Sequence, residues 1–305
     1  MPATHIEELS YGGWPNCFRI TNGETELVVT SDVGPRIIYC GLAGSRNFFY
    51  QREDQMGKSG EDHWCMRGGH RLWIAPETVP DSYALYNAAV NVTLSGGRIT
   101  LLQNVEPETC LRKEITIEFN ASGSVTVTHR IENAGTAARE LAPWVLSQMA
   151  PGGVAFTPFP PRFGHDEVLE PSNPLVMWAY TDFTDERYIF LRRHLAIRQN
   201  PENPYPQKVG VFNKDTLCGY LLGDELFVKR TQATHPSQYP DFGTSAQLFV
   251  NGDFLELETL GPLVNLQPGK SVTHVERWSL YKNAPLSELS SDAIDHLLAS
   301  VAQKD

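Results

Sequence analysis

The sequence has few cysteines and few basic residues, and it lacks long apolar runs. No stretch of about 20 apolar residues could cross a bilayer, and the start, MPATHIEELSYGG, has neither the basic nor the apolar part of a secretory signal. The five cysteines are irregularly spaced, without a CxxC pair, which argues against a disulfide framework and a zinc knuckle. We therefore expect a cytoplasmic protein with reduced thiols and no membrane partner.

The shortage of basic residues also bears on the partner. With 25 basic and 36 acidic side chains the formal net charge is −11, whereas nucleic acids are bound by Lys and Arg that neutralise phosphates. We therefore expect no nucleic-acid partner, although a few local arginines could still bind a small anion. The sequence has no glycine-rich phosphate loop, no nucleophile elbow and no histidine pair at a recognised metal spacing. It therefore predicts neither a cofactor nor a metal, and it leaves the oligomeric state open.

Nearly every periodic segment has the pattern of a β-strand. KEITIEF and SVTVTHRI alternate apolar and polar residues, as expected where one face of an antiparallel sheet is packed and the other is wet. About fifteen such segments, with no repeat of fixed period, require two large packed sheets. A helical pattern begins only at about Ser291, and the proline-rich run from Thr157 to Pro174 is expected to be a long loop. The sequence thus predicts one all-β domain over residues 1–305, a large antiparallel β-sandwich with a short C-terminal helix.

Two carboxylates lie close together in the segment FLELETL. Glu256 and Glu258 are two residues apart, so they share one face of a strand. If two such acids are partly buried, the pKa of one of them is raised, and a carboxylate of this kind can act as a general base near neutral pH. A wet strand face whose acids contact solvent is the alternative, and by pattern alone it is the commoner case.

The same segment resembles a known enzyme family. FLELETLGPLVNLQPGKSVTHVERWSLY is similar to the closing segment of the aldose 1-epimerases (galactose mutarotases), and ELVVTSDVGPRIIYCGLAGSRNFFY resembles their opening hairpins. The resemblance runs through most of the chain in order and implies the galactose mutarotase-like sandwich. It also implies that Glu258 is the catalytic base, because the glutamate of the family's Leu-Glu-Thr motif falls there.

A third resemblance lies in the segment RGGHRLWIAPE. It is similar to the family region whose basic side chains hydrogen-bond sugar hydroxyls, and His70 and Arg71 fall near those positions. Trp73 would then give a sugar ring an apolar platform. The set GGHRLW, MAPGG and ELETLGP resembles an uncharacterised mutarotase-like family of unknown function more closely still.

One position departs from the pattern of the mutarotases. They carry a second histidine, the general acid, on a mid-chain strand, and here the corresponding strand LAPWVLSQMAPGG has Ser147 or Gln148 at that place. Glutamine can hydrogen-bond a sugar oxygen but cannot exchange a proton at neutral pH. We therefore expect Gln148 to bind substrate and His70 to supply the acid. Further candidates for the acid are His235, Tyr83 and Tyr86.

Positive side chains near these segments bear on the kind of sugar. Those next to loops or strand ends are Arg67, Arg71, Arg192, Arg193 and Lys208. Arg192 and Arg193 are consecutive and cannot both face inward on one strand, whereas Arg71 is the strongest candidate because a guanidinium donates in a planar fork. Arg67 and Lys208 are also candidates for substrate binding. Convergence of two or more of these cations would indicate a phosphorylated or acidic sugar.

The sequence therefore predicts a carbohydrate-active protein that interconverts the anomers of a sugar or sugar derivative by general acid/base catalysis. Two alternatives remain open: a sugar-binding or regulatory protein that keeps the cleft without catalysis, and a lyase or hydrolase on the same fold. The absent family histidine favours the first alternative. The second requires another acid/base residue across the cleft from Glu258.

Overall fold

The computed structural model describes residues 4–286 and 288–302. These residues form two large sheets of antiparallel strands, so the β-sandwich prediction is confirmed. One sheet has 11 strands and the other has 10. The five cysteines are free thiols, and four of them are buried.

The strands are numbered β1 to β21 along the chain. In spatial order the larger sheet contains β1 (His5–Tyr11), β2 (Trp14–Thr21), β3 (Thr25–Thr30), β4 (Ile37–Leu42), β5 (His70–Ala75), β10 (Arg139–Met149), β19 (Leu255–Leu260), β18 (Ala246–Val250), β15 (Gln207–Val211) and β12 (Leu175–Met177), and β20 (Val264–Leu266) pairs with β10 outside this order. In spatial order the smaller sheet contains β13 (Tyr188–Phe190), β14 (His194–Arg198), β11 (Val154–Pro158), β16 (Asp215–Leu222), β17 (Glu225–Gln232), β21 (Ser271–Tyr281), β9 (Val125–Asn133), β8 (Leu111–Phe119), β7 (Arg98–Leu102) and β6 (Asn91–Ser95).

The C-terminal helix, Ser291–Ala302, begins where the sequence predicts it. It packs Ile294 and Leu297 against a satellite core beside the smaller sheet. The short helical segments are Glu53–Gln55, Asp81–Tyr83, Pro236–Gln238 and Pro240–Gly243. Among the helices of the described residues, none is long and apolar enough to cross a membrane.

The main core lies between the two sheets and follows the alternation seen in the sequence. In β8, Leu111, Ile115 and Ile117 are buried on the inner face, while Thr116 and Glu118 on the other face remain partly exposed. The three buried side chains share one hydrophobic cluster with side chains of the larger sheet such as Leu27 and Val29. Burial of each such aliphatic side chain contributes about 1.5–3 kcal/mol, so the inward-facing residues set the sheet packing.

Three strands in the middle of the larger sheet depart from this alternation. Every residue of β5 and β19 is buried, and so is β10 from Leu141 to Met149. Their inner face meets the core between the sheets. Their outer face carries a separate cluster that includes Trp73 and Trp144, and loop residues such as Tyr239 cover it. The candidate site lies on this covered outer face.

Candidate functional site

The outer face of the larger sheet brings four of the predicted substrate-binding residues into one cleft of about 250 Å³: Arg71, Trp73, Gln148 and Lys208. Leu146 of β10 lies opposite Arg71 on one side and opposite Glu258 on the other, while Gln148 lies opposite Glu256. Glu256 and Glu258 therefore share one strand face, as predicted. That face is buried, so the alternative of a wet strand face is excluded.

The carboxylate of Glu258 has one hydrogen-bonded oxygen and one oxygen without a hydrogen-bond partner among the described residues. Its Oε2 accepts hydrogen bonds from Trp144 Nε1 at 2.6 Å and from Lys208 Nζ at 2.9 Å. Its Oε1 is buried and has no hydrogen-bond partner among the described residues. Glu258 is fully buried and is not itself among the residues that line the cleft, so a hydroxyl group of a bound molecule would reach Oε1 only after neighbouring side chains had moved.

The pKa of Glu258 is raised to about 7. Burial is the largest cause, because it disfavours the charged carboxylate, and the neighbouring Glu256 acts in the same direction. Lys208 and the hydrogen bond from Trp144 partly offset these effects. A carboxylate with a pKa near neutrality can both accept and return a proton in the same catalytic cycle.

Arg71 and Gln148 present further polar atoms to the cleft. Arg71 Nη2 donates to Glu256 Oε1 at 3.1 Å, and its guanidinium carbon lies 4.6 Å from the centre of the Trp73 ring. Within the described part of the chain, its Nε and Nη1 and both amide atoms of Gln148 are buried without a hydrogen-bond partner. Each buried polar group left in that state costs about 1–3 kcal/mol, so a hydroxylated ligand or water that satisfies them is stabilised here.

Aromatic rings form the walls of the cleft. The aromatic lining residues are Trp64, Trp73, Tyr83, Trp144, Tyr180, Phe249 and Phe254. Lys208 lies between two indoles, with Nζ 4.5 Å from the ring centre of Trp144 and 4.8 Å from that of Trp178. Apolar walls with a few placed polar groups are typical of small-molecule sites. The sequence pointed to Trp73 and Tyr83, but it gave no sign of Tyr180 and Phe249, whose positions depend on tertiary register.

The structure does not bring His70 to Glu258, which corrects the expectation that these two residues act together. His70 directly precedes Arg71 in β5, so its side chain lies on the opposite face of the strand. It is fully buried between the sheets. There its Nδ1 lies 2.8 Å from Ser147 Oγ, and its Nε2 lies 2.7 Å from His129 Nε2.

Arg67 is also outside the cleft, which corrects its expected place among the substrate-binding residues. Its side chain is fully buried, Nη1 donates to Asn87 Oδ1 at 2.5 Å, and Nη2 donates to Glu61. These contacts fix the loop that precedes β5. Arg193, another cation considered from the sequence, binds Asp295 of the C-terminal helix at 2.6 Å.

Of the three further candidates for an acid, Tyr83 lines the cleft. Its hydroxyl donates to Glu77 Oε1 at 2.5 Å, and burial, together with Glu77, raises the pKa of Tyr83. Tyr86 is buried beneath Arg36, whose guanidinium carbon lies 5.1 Å from its ring centre. His235 is exposed on a surface turn.

A second polar cluster lies on the inner face of the same central strands. Lys229 Nζ lies 2.9 Å from Glu276 Oε1, and both side chains are fully buried. Thr259 Oγ1 and Trp278 Nε1 donate to the same carboxylate at 2.5 Å and 2.8 Å. Burial alone would raise the pKa of Glu276, but Lys229 and the nearby histidines hold it well below its usual range.

Three residues of this inner cluster, His70, His129 and Glu276, have ligand atoms within 4.8 Å of one another, but their geometry does not suit a metal ion. The two imidazole Nε2 atoms are 2.7 Å apart, whereas two ligands of a tetrahedral zinc at about 2.0–2.1 Å would be about 3.3 Å apart. A divalent cation would also lie beside the Lys229 ammonium in a dry core. The geometry fits a shared proton better, with His129 Nδ1 donating to the His274 carbonyl at 3.2 Å.

No family model matches the sequence, and no curated protein matches it significantly. A galactose mutarotase-like protein from Lactobacillus casei is 11% identical, with a TM-score of 0.55 over 87% of this chain and 100% of that chain. A galactose mutarotase related enzyme from Lactobacillus acidophilus is 10% identical, with a TM-score of 0.54 over 88% and 98% of the two chains.

A third solved structure comes from Klebsiella pneumoniae and is provisionally described as an aldose 1-epimerase. It is 12% identical, with a TM-score of 0.59 over 99% of this chain and 91% of that chain. Likeness at these identities establishes the fold alone. The chain has the galactose mutarotase-like fold, as the resemblance of its motifs implied.

Proposed function

We propose that the protein binds a carbohydrate and interconverts its anomers by general acid/base catalysis, as aldose 1-epimerases do. The observation that carries this proposal is the buried carboxylate of Glu258. One of its oxygens is fixed by Lys208 and Trp144, and the other has no partner among the residues described. With a pKa raised to about 7, this group is a base at the pH where it must work.

The reaction requires a base for the anomeric hydroxyl and an acid for the ring oxygen. In the proposed mechanism Glu258 Oε1 takes the hydroxyl proton, the bond between the anomeric carbon and the ring oxygen breaks, and the ring oxygen takes a proton from Lys208. Rotation of the free aldehyde and the reverse steps give the other anomer. Lys208 suits the acid role because its Nζ lies 2.9 Å from the same carboxylate, and the two sugar oxygens share one carbon.

The charges of the cleft favour a neutral sugar. Two cations do converge, but Arg71 is paired with Glu256 and Lys208 is paired with Glu258. Glu77 adds a further carboxylate to the lining. Neither cation is left to neutralise a phosphate or a sugar acid, so Arg71 and Gln148 are proposed to bind hydroxyl groups, with Trp73 packed against a ring face.

The test is NMR saturation transfer between the α and β anomers of glucose, galactose and glucose 6-phosphate. We expect accelerated exchange of the neutral sugars, and a loss of about 100- to 10,000-fold in Glu258→Gln and in Lys208→Met, which is the usual contribution of a general acid or base. Glu118→Gln, on the outer face of the smaller sheet, is the matched control and should retain the rate. Unaccelerated exchange with the unmodified protein, or full activity in Glu258→Gln, would contradict the proposal.

A sugar-binding protein without catalysis is the second candidate, and Gln148 is the observation that favours it. Its amide lies in the cleft on the strand where the mutarotases carry their acid histidine, and an amide exchanges no proton at neutral pH. This candidate predicts that calorimetry detects sugar binding without anomer exchange. Binding should then be abolished by Arg71→Ala and retained by Glu258→Gln.

A further inference from the structure

A row of aromatic rings leads out of the cleft next to the first residue of β19. The ring centre of Phe254 lies 6.0 Å from that of Phe249, which lines the cleft, and 5.2 Å from that of Tyr50. The planes of Phe254 and Tyr50 are inclined by 34°. The three rings therefore form a continuous apolar strip in which Phe249 and Tyr50 are partly exposed and Phe254, between them, is buried.

The backbone fixes the direction in which Tyr50 points. Its amide donates to the carbonyl of Gln148 at 2.9 Å, so it lies next to a residue of the cleft. The preceding Phe49 faces the core between the sheets, where its ring stacks on His70 at 6.3 Å. Because successive side chains of an extended segment alternate, Tyr50 faces the outer side, as the cleft does.

Beyond Tyr50 the strip opens into a second groove of about 660 Å³. Its polar lining consists of Gln51, Arg52, Glu53, Asp54 and Asp253. The one cation of this lining, Arg52, already forms ion pairs with two of the carboxylates. Its Nε lies 3.2 Å from Asp54 Oδ1, and its Nη1 lies 3.9 Å from Asp253 Oδ2. The groove is therefore acidic as a whole, which disfavours an anionic ligand and offers acceptors to hydroxyl groups.

We propose that this groove binds sugar units next to the one in the cleft, so that the substrate is the reducing-end unit of a neutral oligosaccharide, the one unit with a free anomeric hydroxyl. The proposal rests on the proposed function for the nature of the unit at Glu258. It follows from the combination on one surface: a small cleft, the partly exposed rings of Phe249 and Tyr50 on which sugar CH groups can pack, and carboxylates that accept hydroxyl hydrogen bonds. Tyr50, at the junction, is the residue that a second sugar unit would contact first.

The test is calorimetric binding of glucose and galactose and of their 1,4-linked di- and trisaccharides to the full chain. We expect the oligosaccharides to bind more tightly than the monosaccharides. Tyr50→Ala should weaken oligosaccharide binding by about two- to tenfold more than monosaccharide binding, the range that corresponds to one lost aromatic contact. Tyr50→Phe, which keeps the ring, should restore it, and Tyr205→Ala, at a tyrosine that lines neither the cleft nor the groove, is the control.

Equal affinity for the two classes of sugar would overturn the inference, and so would an equal effect of Tyr50→Ala on both. Catalysed exchange of monosaccharide anomers under those conditions would leave the proposed function intact, so the two failures are distinguishable. Binding of neither class would overturn both.

Discussion

Acidification should destabilise the fold through three histidines buried between the sheets. Burial lowers the pKa of His129 to about 4 and that of His274 to about 3, and it holds the pKa of His70 well below its usual value of 6.5. In the unfolded chain each titrates near 6.5. Because the folded-state pKa values are lowered, the stability due to these residues is fully present above pH 6.5 and is lost as the pH falls.

The size of the effect follows from linkage. Between about pH 7.5 and about pH 5.5 each histidine that stays neutral in the folded chain costs about 1.4 kcal/mol, so the three together cost about 4 kcal/mol. Glu258 acts in the opposite direction. Its folded pKa of about 7 lies above the usual 4.5, so it takes up a proton only in the folded chain and offsets about 2 kcal/mol. We expect a net loss of about 2 kcal/mol in the unmodified protein and about 4 kcal/mol in Glu258→Gln.

The assay is urea unfolding at the two pH values, followed by tryptophan fluorescence. His274→Gln should reduce the pH effect by about 1.4 kcal/mol, whereas His5→Gln, at an exposed histidine, should leave it as it is. A loss below about 1 kcal/mol in Glu258→Gln would refute the reasoning, because it would mean that the buried histidines accept protons in the folded chain.

Three further predictions concern single contacts. Lys229→Met should lower the free energy of unfolding by about 3–5 kcal/mol, since it leaves Glu276 buried and unpaired, and the double variant with Glu276→Gln should recover part of this loss in urea titrations. Trp144→Phe should raise the pKa of Glu258 further, because it removes a donor to the carboxylate, and this is measured as an upward shift of the pH profile of anomer exchange. Gly219→Ala should lower the free energy of unfolding by about 1–3 kcal/mol, as measured by urea titration. A β-carbon at this position would lie 2.2 Å from Cζ of Phe156 on the neighbouring strand.

The fold and the acidic pair of the site could be predicted from the sequence because both depend on alternation. In β8 and β9 one face is packed and the other is partly wet, so the polarity pattern reports the strand directly. Glu256 and Glu258 share a face in any extended segment, whatever the register of the sheet. The order of the motifs along most of the chain, rather than any single motif, implied the mutarotase-like sandwich.

The sequence implies that His70 and Arg71 face opposite sides of their strand, but it does not show which of the two faces the cleft. His70 and Arg71 are consecutive in one strand, so one faces the core when the other faces the cleft. The burial of β5 on both faces removes the polarity contrast that would have shown which residue faces which way. The partner of Glu258, Lys208, lies 50 residues away along the chain, and the wall residue Tyr180 comes from a loop. Such contacts depend on register and loop path, on which local pattern carries no information.

The pH dependence of anomer exchange tests the role of Glu258 most directly. We predict that the rate catalysed by the unmodified protein on a neutral aldose rises with pH through a midpoint near 7, the value to which the pKa of Glu258 is raised. The same measurement on Glu258→Gln should show no catalysed component. A rate that stays flat between about pH 5 and about pH 9, or one that survives in Glu258→Gln, would contradict the assignment of this carboxylate as the base.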